Sequence, residues 1–218
     1  MSIFEVMGPI MIGPSSSHTA GAVKLGRMAR LIFSDKIEQA TIYFHGSFAE
    51  THRGHGTDRA VIGGILGFSP DDQRIKSSME LARDRSLEFS FGRVKLQRAH
   101  PNSLKIVLGN RQREVTVVGS SLGGGEVLIT GIDEYEVNIS GKLPTLWVLH
   151  RDQPGEISMI TRVLGDHQIN IAFMHVFRNK KGQLGSSIIE VDQGVGPGII
   201  SELEASQDVF QVRYLPAL

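Results

Sequence analysis

The chain has 218 residues with 23 basic and 23 acidic side chains, so its formal charge is zero. That balance lacks the clustered basic excess needed to neutralise phosphates and speaks against nucleic-acid binding, while 40% apolar residues suffice for one large or two small cores. Cysteine is absent, which excludes a disulfide scaffold, a thiolate nucleophile and any cysteine-ligated metal site built from this chain alone.

The apolar run Ile3–Ile12 carries Glu5, Gly8 and Pro9. It falls far short of the about 20 residues a membrane span needs. No basic segment precedes it, so a cytoplasmic chain is expected. From there, Thr19–Phe33 predicts a helix with Leu25, Met28, Ala29 and Ile32 on one stripe and Gly21, Ala22 and Gly26 as a smooth face for close approach. Ala40–Phe44 reads as a short strand, Thr57–Leu66 and Ile75–Ser86 as helices, and Leu87–Val94, Ser103–Leu108, Glu114–Val118 and Val127–Val137 as strands. Gly119–Gly125 lacks the spacing of a nucleotide-phosphate loop and reads as a hairpin or bulge whose amides can also face a ligand.

Composition shifts near residue 140, where polar glycine clusters give way to short regular elements. Two domains are therefore expected, over 1–138 and 144–218, with a linker at 139–143. Thr145–Leu149 is β-branched and apolar and predicts a strand, and Asp152-Gln153-Pro154-Gly155 a turn. Glu156–His167 follows as a helix with Ile157, Ile160 and Leu164 on one face. Asn170–Phe177 and Ser186–Asp192 read as strands joined through Arg178–Gly185. Pro197 suits the first position of a helix carrying Ile199, Ile200 and Leu203, and Val209–Leu215 closes as a strand. The order β-α-β-β-α-β is that of a ferredoxin-like sheet covered by two helices on one face, and the whole chain is α+β.

Chemistry concentrates in a few loops. In Gly13-Pro14-Ser15-Ser16-Ser17-His18-Thr19, hydroxyls and an imidazole lead into the first helix, whose free N–H groups and positive dipole end attract a carboxylate or phosphate. One hydroxyl, from Ser17 or Thr19, is enough for a helix cap, and the surplus points to a ligand. His55 stands between two glycines in Gly54-His55-Gly56-Thr57-Asp58, gains little packing there, and is a better candidate acid or base than a core histidine. Thr57 and Asp58 can cap the next helix or hold that ring in one tautomer. A metal at His45, His52 and His55 would lack any recognised ligand spacing. In His100-Pro101-Asn102, the proline biases His100 towards an extended conformation and Asn102 offers donor and acceptor to a polar ligand. In the second half, His150, Asp152 and Asn170 are expected at one edge of the sheet, where Asp152 suits the ammonium of a small effector.

The motifs at 13–19, His45-Gly46-Ser47, 54–58, 100–102 and Ser121-Leu122-Gly123-Gly124-Gly125, in this order, resemble those of the β chain of iron-sulfur-dependent bacterial L-serine dehydratase. Residues 144–218 are similar to an ACT regulatory domain, and residues 1–138 to that family's β domain, itself similar to the allosteric substrate-binding domain of some phosphoglycerate dehydrogenases. The resemblance implies an L-serine ammonia-lyase that converts L-serine to pyruvate and ammonia with a 4Fe-4S cluster. Cysteines of a separate α chain hold that cluster, which fits the absence of cysteine here, and this chain itself would bind no metal. It further implies that His18, His55 and Thr57 approach the reacting centre and that Ser15, Ser16, Ser17 and Asn102 contact the substrate. His150, Asp152 and Asn170 would contact an effector, L-serine, between ACT domains paired through a β–β contact; such domains may carry Asn where Asp152 stands. The alternative is a non-catalytic amino-acid-sensing subunit, against which stands the use of imidazoles where a regulatory anion site would more naturally use Arg and Lys.

Overall fold

The computed structural model describes residues 10–178 and 182–218, so part of the run Ile3–Ile12 and part of the turn expected over Arg178–Gly185 lie outside the described residues. Among those described, no helix is long and apolar enough to cross a membrane. The chain divides into two compact units between Asp133 and Glu134.

In the first unit a π-helical turn, Ser16–Ala20, runs directly into helix α1 (Gly21–Phe33). Strand β1 (Gln39–His45) and two helices, α2 (Ser47–Thr51) and α3 (Thr57–Ile65), follow. A 3₁₀ turn at Gln73–Ser77 leads into α4 (Ser78–Asp84), then β2 (Glu88–Arg93), β3 (Ser103–Gly109), β4 (Glu114–Gly123) and β5 (Glu126–Ile132). Within this unit the sheet order is β2-β1-β3-β4-β5, and β6 (Tyr135–Ile139) belongs to the second unit. β2 joins β1 in parallel, while β1, β3, β4 and β5 pair antiparallel.

The expected stripe of α1 is the buried one: Leu25, Met28, Ala29 and Ile32 all lie in the core. Its smooth face is real as well. A Cβ at Gly26 would stand 2.4 Å from the Val61 carbonyl oxygen, and one at Gly64 2.1 Å from that of Val23, so α1 and α3 touch backbone to backbone. Three expectations need correction. The strand expected over Val127–Val137 is two strands, because Asp133 takes a left-handed φ of 51° and ends the first of them. The helix expected over Ile75–Ser86 begins as the 3₁₀ turn, started by the Asp72 carboxylate accepting the Arg74 N–H at 2.9 Å. Finally, β4 continues past Val118 to Gly123, carried through two irregularities in its pairing with β5.

The second unit holds β7 (Thr145–Arg151), α5 (Glu156–Asp166), β8 (Ile171–Arg178), β9 (Leu184–Val191), α6 (Pro197–Glu204) and β10 (Val209–Leu215). The antiparallel order β10-β7-β9-β8 is the expected ferredoxin-like one. Its core joins Leu146 and Val148 of β7, Ile160 and Leu164 of α5, Ile189 and Val191 of β9, Leu203 of α6 and Val212 of β10. These side chains come from every second position of the strands and from one face of each helix, which is the pattern the sequence carries.

Candidate active site

Register decides where the polar loops go. His45 at the end of β1 stands opposite Ser103 at the start of β3, and Ser103 opposite Ser120 near the end of β4. The loops holding His45–Ser47, His100–Asn102 and Ser121–Gly123 therefore share one end of the first sheet. The π turn reaches that end too, since a Cβ at Gly21 would meet the Ser121 hydroxyl at 2.0 Å and one at Gly123 would lie 3.8 Å from Ser17 Oγ. Gly46 is required here: its φ is 55°, and a Cβ would come within 2.5 Å of the Pro101 carbonyl oxygen.

His18 and His55 meet. Their ring centroids are 4.7 Å apart at 60° between planes, and His18 also lies edge-on to Phe48 at 5.1 Å. The hydrogen bonds fix what His18 can do. Ser15 caps the π turn by accepting the His18 backbone N–H at 3.2 Å, and its Oγ also shares a hydrogen bond with His18 Nδ1 at 3.3 Å. The other ring nitrogen, Nε2, shares a hydrogen bond with Ser47 Oγ at 3.3 Å, so in the neutral ring one nitrogen donates to a serine and the other accepts from one. Burial, and after it the neighbouring His55 imidazole, hold the His18 pKa below its usual 6.5. His18 is thus a neutral ring with both nitrogens engaged.

His55 is the opposite case. Its backbone carbonyl accepts from Thr19 Oγ1 at 3.4 Å, yet its Nδ1 is buried and has no hydrogen-bond partner. Thr57 Oγ1 and Ser121 Oγ are likewise buried and unpartnered. Buried polar atoms are nearly always paired, so three unpaired ones among these loops make this end of the sheet the candidate ligand site. The capping roles expected for Thr57 and Asp58 are not taken up. Gly56 occupies the cap position of α3 without a side-chain bond, and Asp58 accepts the Arg59 N–H at 2.8 Å instead. Nor is it Ser17 or Thr19 that caps the π turn, but Ser15.

Ser16 and Ser17 lie half-buried in the π turn. Asn102 is half-buried; its N–H donates to His100 Nδ1 at 3.1 Å, and its carbonyl accepts the Ser121 N–H at 2.9 Å. His45 and His52 point elsewhere. Leu96 N–H donates to His45 Nδ1 at 3.2 Å, and His52 donates from Nδ1 to the Ala49 carbonyl at 3.3 Å while stacking on Phe44 at 4.5 Å. Sequence reasoning left Ser47 and Ser121 out of the site. Both stand in the quoted motifs, but only the folded register shows that one engages His18 and the other has no partner.

In the second unit the expected meeting of His150, Asp152 and Asn170 at one edge does not occur within one chain. β9 runs antiparallel to both β7 and β8, which puts Asp152, bonded to Gly182 N–H at 2.8 Å, at the start of β9. Asn170 is at the other end, donating to Asp192 at 2.5 Å. His150 is 2% exposed with both nitrogens used, Nδ1 donating to the Arg151 carbonyl and Nε2 accepting from Ser187 Oγ, each at 2.9 Å.

A 4Fe-4S cluster needs thiolates, and this chain has none. Among the described residues no group of three His, Asp or Glu side chains converges as a ligand set either. The residues present do not fit such a cluster as its ligands.

Comparison with known proteins agrees with these motifs. The family model described as serine dehydratase beta chain matches residues 2–87, and that of the ACT domain residues 145–206. The probable L-serine dehydratase beta chain of Bacillus subtilis is 42% identical, covering 97% of this chain and 96% of its own length. The L-serine dehydratase beta chain of Peptoniphilus asaccharolyticus is 41% identical over 98% of this chain and 97% of its own. The D-3-phosphoglycerate dehydrogenase of Synechocystis is 27% identical over 84% of this chain, which corresponds to 33% of that enzyme. On the two near-complete matches, the chain belongs to the family of L-serine dehydratase beta chains.

Proposed function

We propose that this chain is the β subunit of an L-serine ammonia-lyase that converts L-serine to pyruvate and ammonia in the cytoplasm, active only together with an α chain whose cysteines hold a 4Fe-4S cluster. Lewis-acid help to the leaving hydroxyl belongs to that α chain, and this chain supplies the imidazoles and hydroxyls. The carrying observation is the His18–His55 pair, in which one ring is spent on two serines and the other keeps a nitrogen without a partner.

Elimination from L-serine requires removal of the weakly acidic α-hydrogen while ammonium and carboxylate are held rigidly. His55 acts as the base or as its immediate partner. His18, kept neutral beside it, leaves the pair able to accept one proton rather than repelling it as a cation would. Thr57 faces the same centre, the hydroxyls of Ser15, Ser16 and Ser17 with the free N–H groups of the helix start receive the carboxylate, and Asn102 adds a polar contact. The enamine left by loss of water tautomerises and hydrolyses to pyruvate and ammonia. Production of the chain with its α chain under anaerobic conditions should yield pyruvate from L-serine, and either chain alone should yield none. Turnover by this chain by itself would overturn the proposal, and an assembled pair that only binds serine would favour the sensing role.

The segment 144–218 acts as the control module. Asp152 and Asn170 stand at opposite ends of β9, so one chain cannot offer both to one ligand. β8 is an edge strand, and antiparallel apposition of two β8 edges would bring Asn170 of a second copy beside Asp152. L-serine bound there would link effector binding to a β–β contact. Titration of the full chain should show serine binding that Asp152→Ala and Asn170→Ala each abolish, and binding that survives both changes would remove this site.

A further inference from the structure

The helix start and strand β4 meet in a regular row. Leu25, Gly21 and Ser17 follow one another at helical spacing, and Gly119, Ser121 and Gly123 at the spacing of one face of a strand. A Cβ at Gly119 would meet Leu25 Cδ2 at 2.7 Å, one at Gly21 meets Ser121 Oγ at 2.0 Å, and one at Gly123 faces Ser17 Oγ at 3.8 Å. The row passes from apolar core to polar helix start, and Ser121 is its middle rung.

Nothing in the packing calls for a hydroxyl there. Ser121 is fully buried and its Oγ has no hydrogen-bond partner. The next residue along the strand shows what a structural serine does in this sheet: Ser120 faces the other way and shares a 2.8 Å hydrogen bond with Ser103. An unpaired buried hydroxyl is a standing penalty that alanine would remove. Its surroundings show what it waits for. The Ser121 backbone N–H is tied to Asn102, Ser17 lies one rung along, and the remaining unpaired atoms of this end of the sheet belong to His55 and Thr57.

We infer that Ser121 is a further substrate-binding residue, whose hydroxyl donates a hydrogen bond to the carboxylate of the bound amino acid at the start of the first helix. The inference rests on the dehydratase reading above and adds a residue to it. The hydroxyl faces Gly21 at the start of α1, directly after the turn Ser16–Ala20, so the bound state is one in which this helix start gives way from β4. The turn is π-helical, a rare form that appears mostly as single-turn bulges and frequently at functional sites.

The test compares Ser121→Ala with the parent, each assembled with the α chain anaerobically. The expected result is a KM for L-serine raised about tenfold or more, as for loss of a hydrogen bond to a charged group, with kcat within about threefold. Cluster absorbance should be unchanged, and the thermal midpoint of the free chain should equal or exceed the parent's. An unchanged KM overturns the inference, and a lowered midpoint with unchanged KM shows a structural hydroxyl instead. Should the alanine pair fail to assemble, Ser121→Cys keeps the shape with a weaker donor and should raise KM to a smaller extent; a parental KM there has the same overturning force. L-serine titration separates the two readings. A parent pair that binds serine without turnover sinks the dehydratase reading while Ser121→Ala must still weaken that binding, and a pair that does neither sinks both.

Discussion

Two imidazole environments, one in each unit, show how completed and uncompleted polar groups differ in this chain. His150 is enclosed by its own unit: both nitrogens are hydrogen-bonded, and the strand beside it makes room, since a Cβ at Gly185 would strike its ring at 2.5 Å. Its neighbours are satisfied too, with Trp147 Nε1 donating to Ser186 Oγ at 2.9 Å. At the end of the first sheet the accounts are left open, with His55, Thr57 and Ser121 each holding a buried polar atom that finds no partner. A protein tolerates such atoms where something else completes them. The number of histidines says little; whether each is completed from within says a great deal.

The sharpest way to break this contrast is to remove each ring in turn. His55→Ala in the assembled pair should lower kcat about a hundred- to ten-thousand-fold, the range for loss of a positioned acid–base group, with cluster absorbance and thermal midpoint near the parent's. Pyruvate formation at saturating serine reads it, and near-normal turnover would take His55 out of the mechanism. His150→Ala should do the reverse. It opens a cavity and strands Ser187, at a cost of about 2–4 kcal/mol in denaturant unfolding, while kcat stays close to parental. A His150 variant of full stability that loses effector response would reassign this ring from structure to ligand.

Close packing gives a smaller effect confined to the first unit. Gly64→Ala would press a methyl group onto the Val23 carbonyl oxygen at 2.1 Å, where both atoms belong to helices that cannot easily part. Overpacking of this kind costs about 1–3 kcal/mol and should appear as a lowered unfolding midpoint. Gly165→Ala, on the exposed side of α5 with nothing within 4 Å of the added carbon, should be neutral or stabilising in the same measurement. If the two variants behaved alike, the backbone contact between α1 and α3 would not be the tight one described.

How much of this could be read without a structure follows the range of each signal. The stripe of α1 and the six elements of the second unit are local periodicities, and they were legible in the spacing of Leu25, Met28 and Ile32 or of Ile160 and Leu164. His55 was legible because two glycines deny it a packing role. The one-turn helix α2 carries too few residues for a period, and Asp133 turned one expected strand into two through a single left-handed residue. Ser47 lies 29 residues from His18, and Ser121 further still, so neither role exists until register brings them to one place. The expectation that Asp152 and Asn170 share an edge failed for the same reason: strand direction is a property of the sheet, not of either turn.

The mildest test concerns acid. His18 has its pKa held below the usual 6.5, first by burial and then by His55, so between 6.5 and that lower value the unfolded chain binds a proton that the folded chain refuses. Stability therefore rises with pH across that window. The contribution is complete above the unfolded value, and it is lost as pH falls through the window towards the folded one. Unfolding measured from pH 7.5 down to 5 should consequently show an acid-side slope that is reduced in His18→Gln. That glutamine can still bridge between Ser15 and Ser47 without titrating, so a loss of slope with retained midpoint at pH 7.5 isolates the proton from the packing. An unchanged slope in the variant would mean that the burial of His18, with His55 4.7 Å away, does not set the acid response.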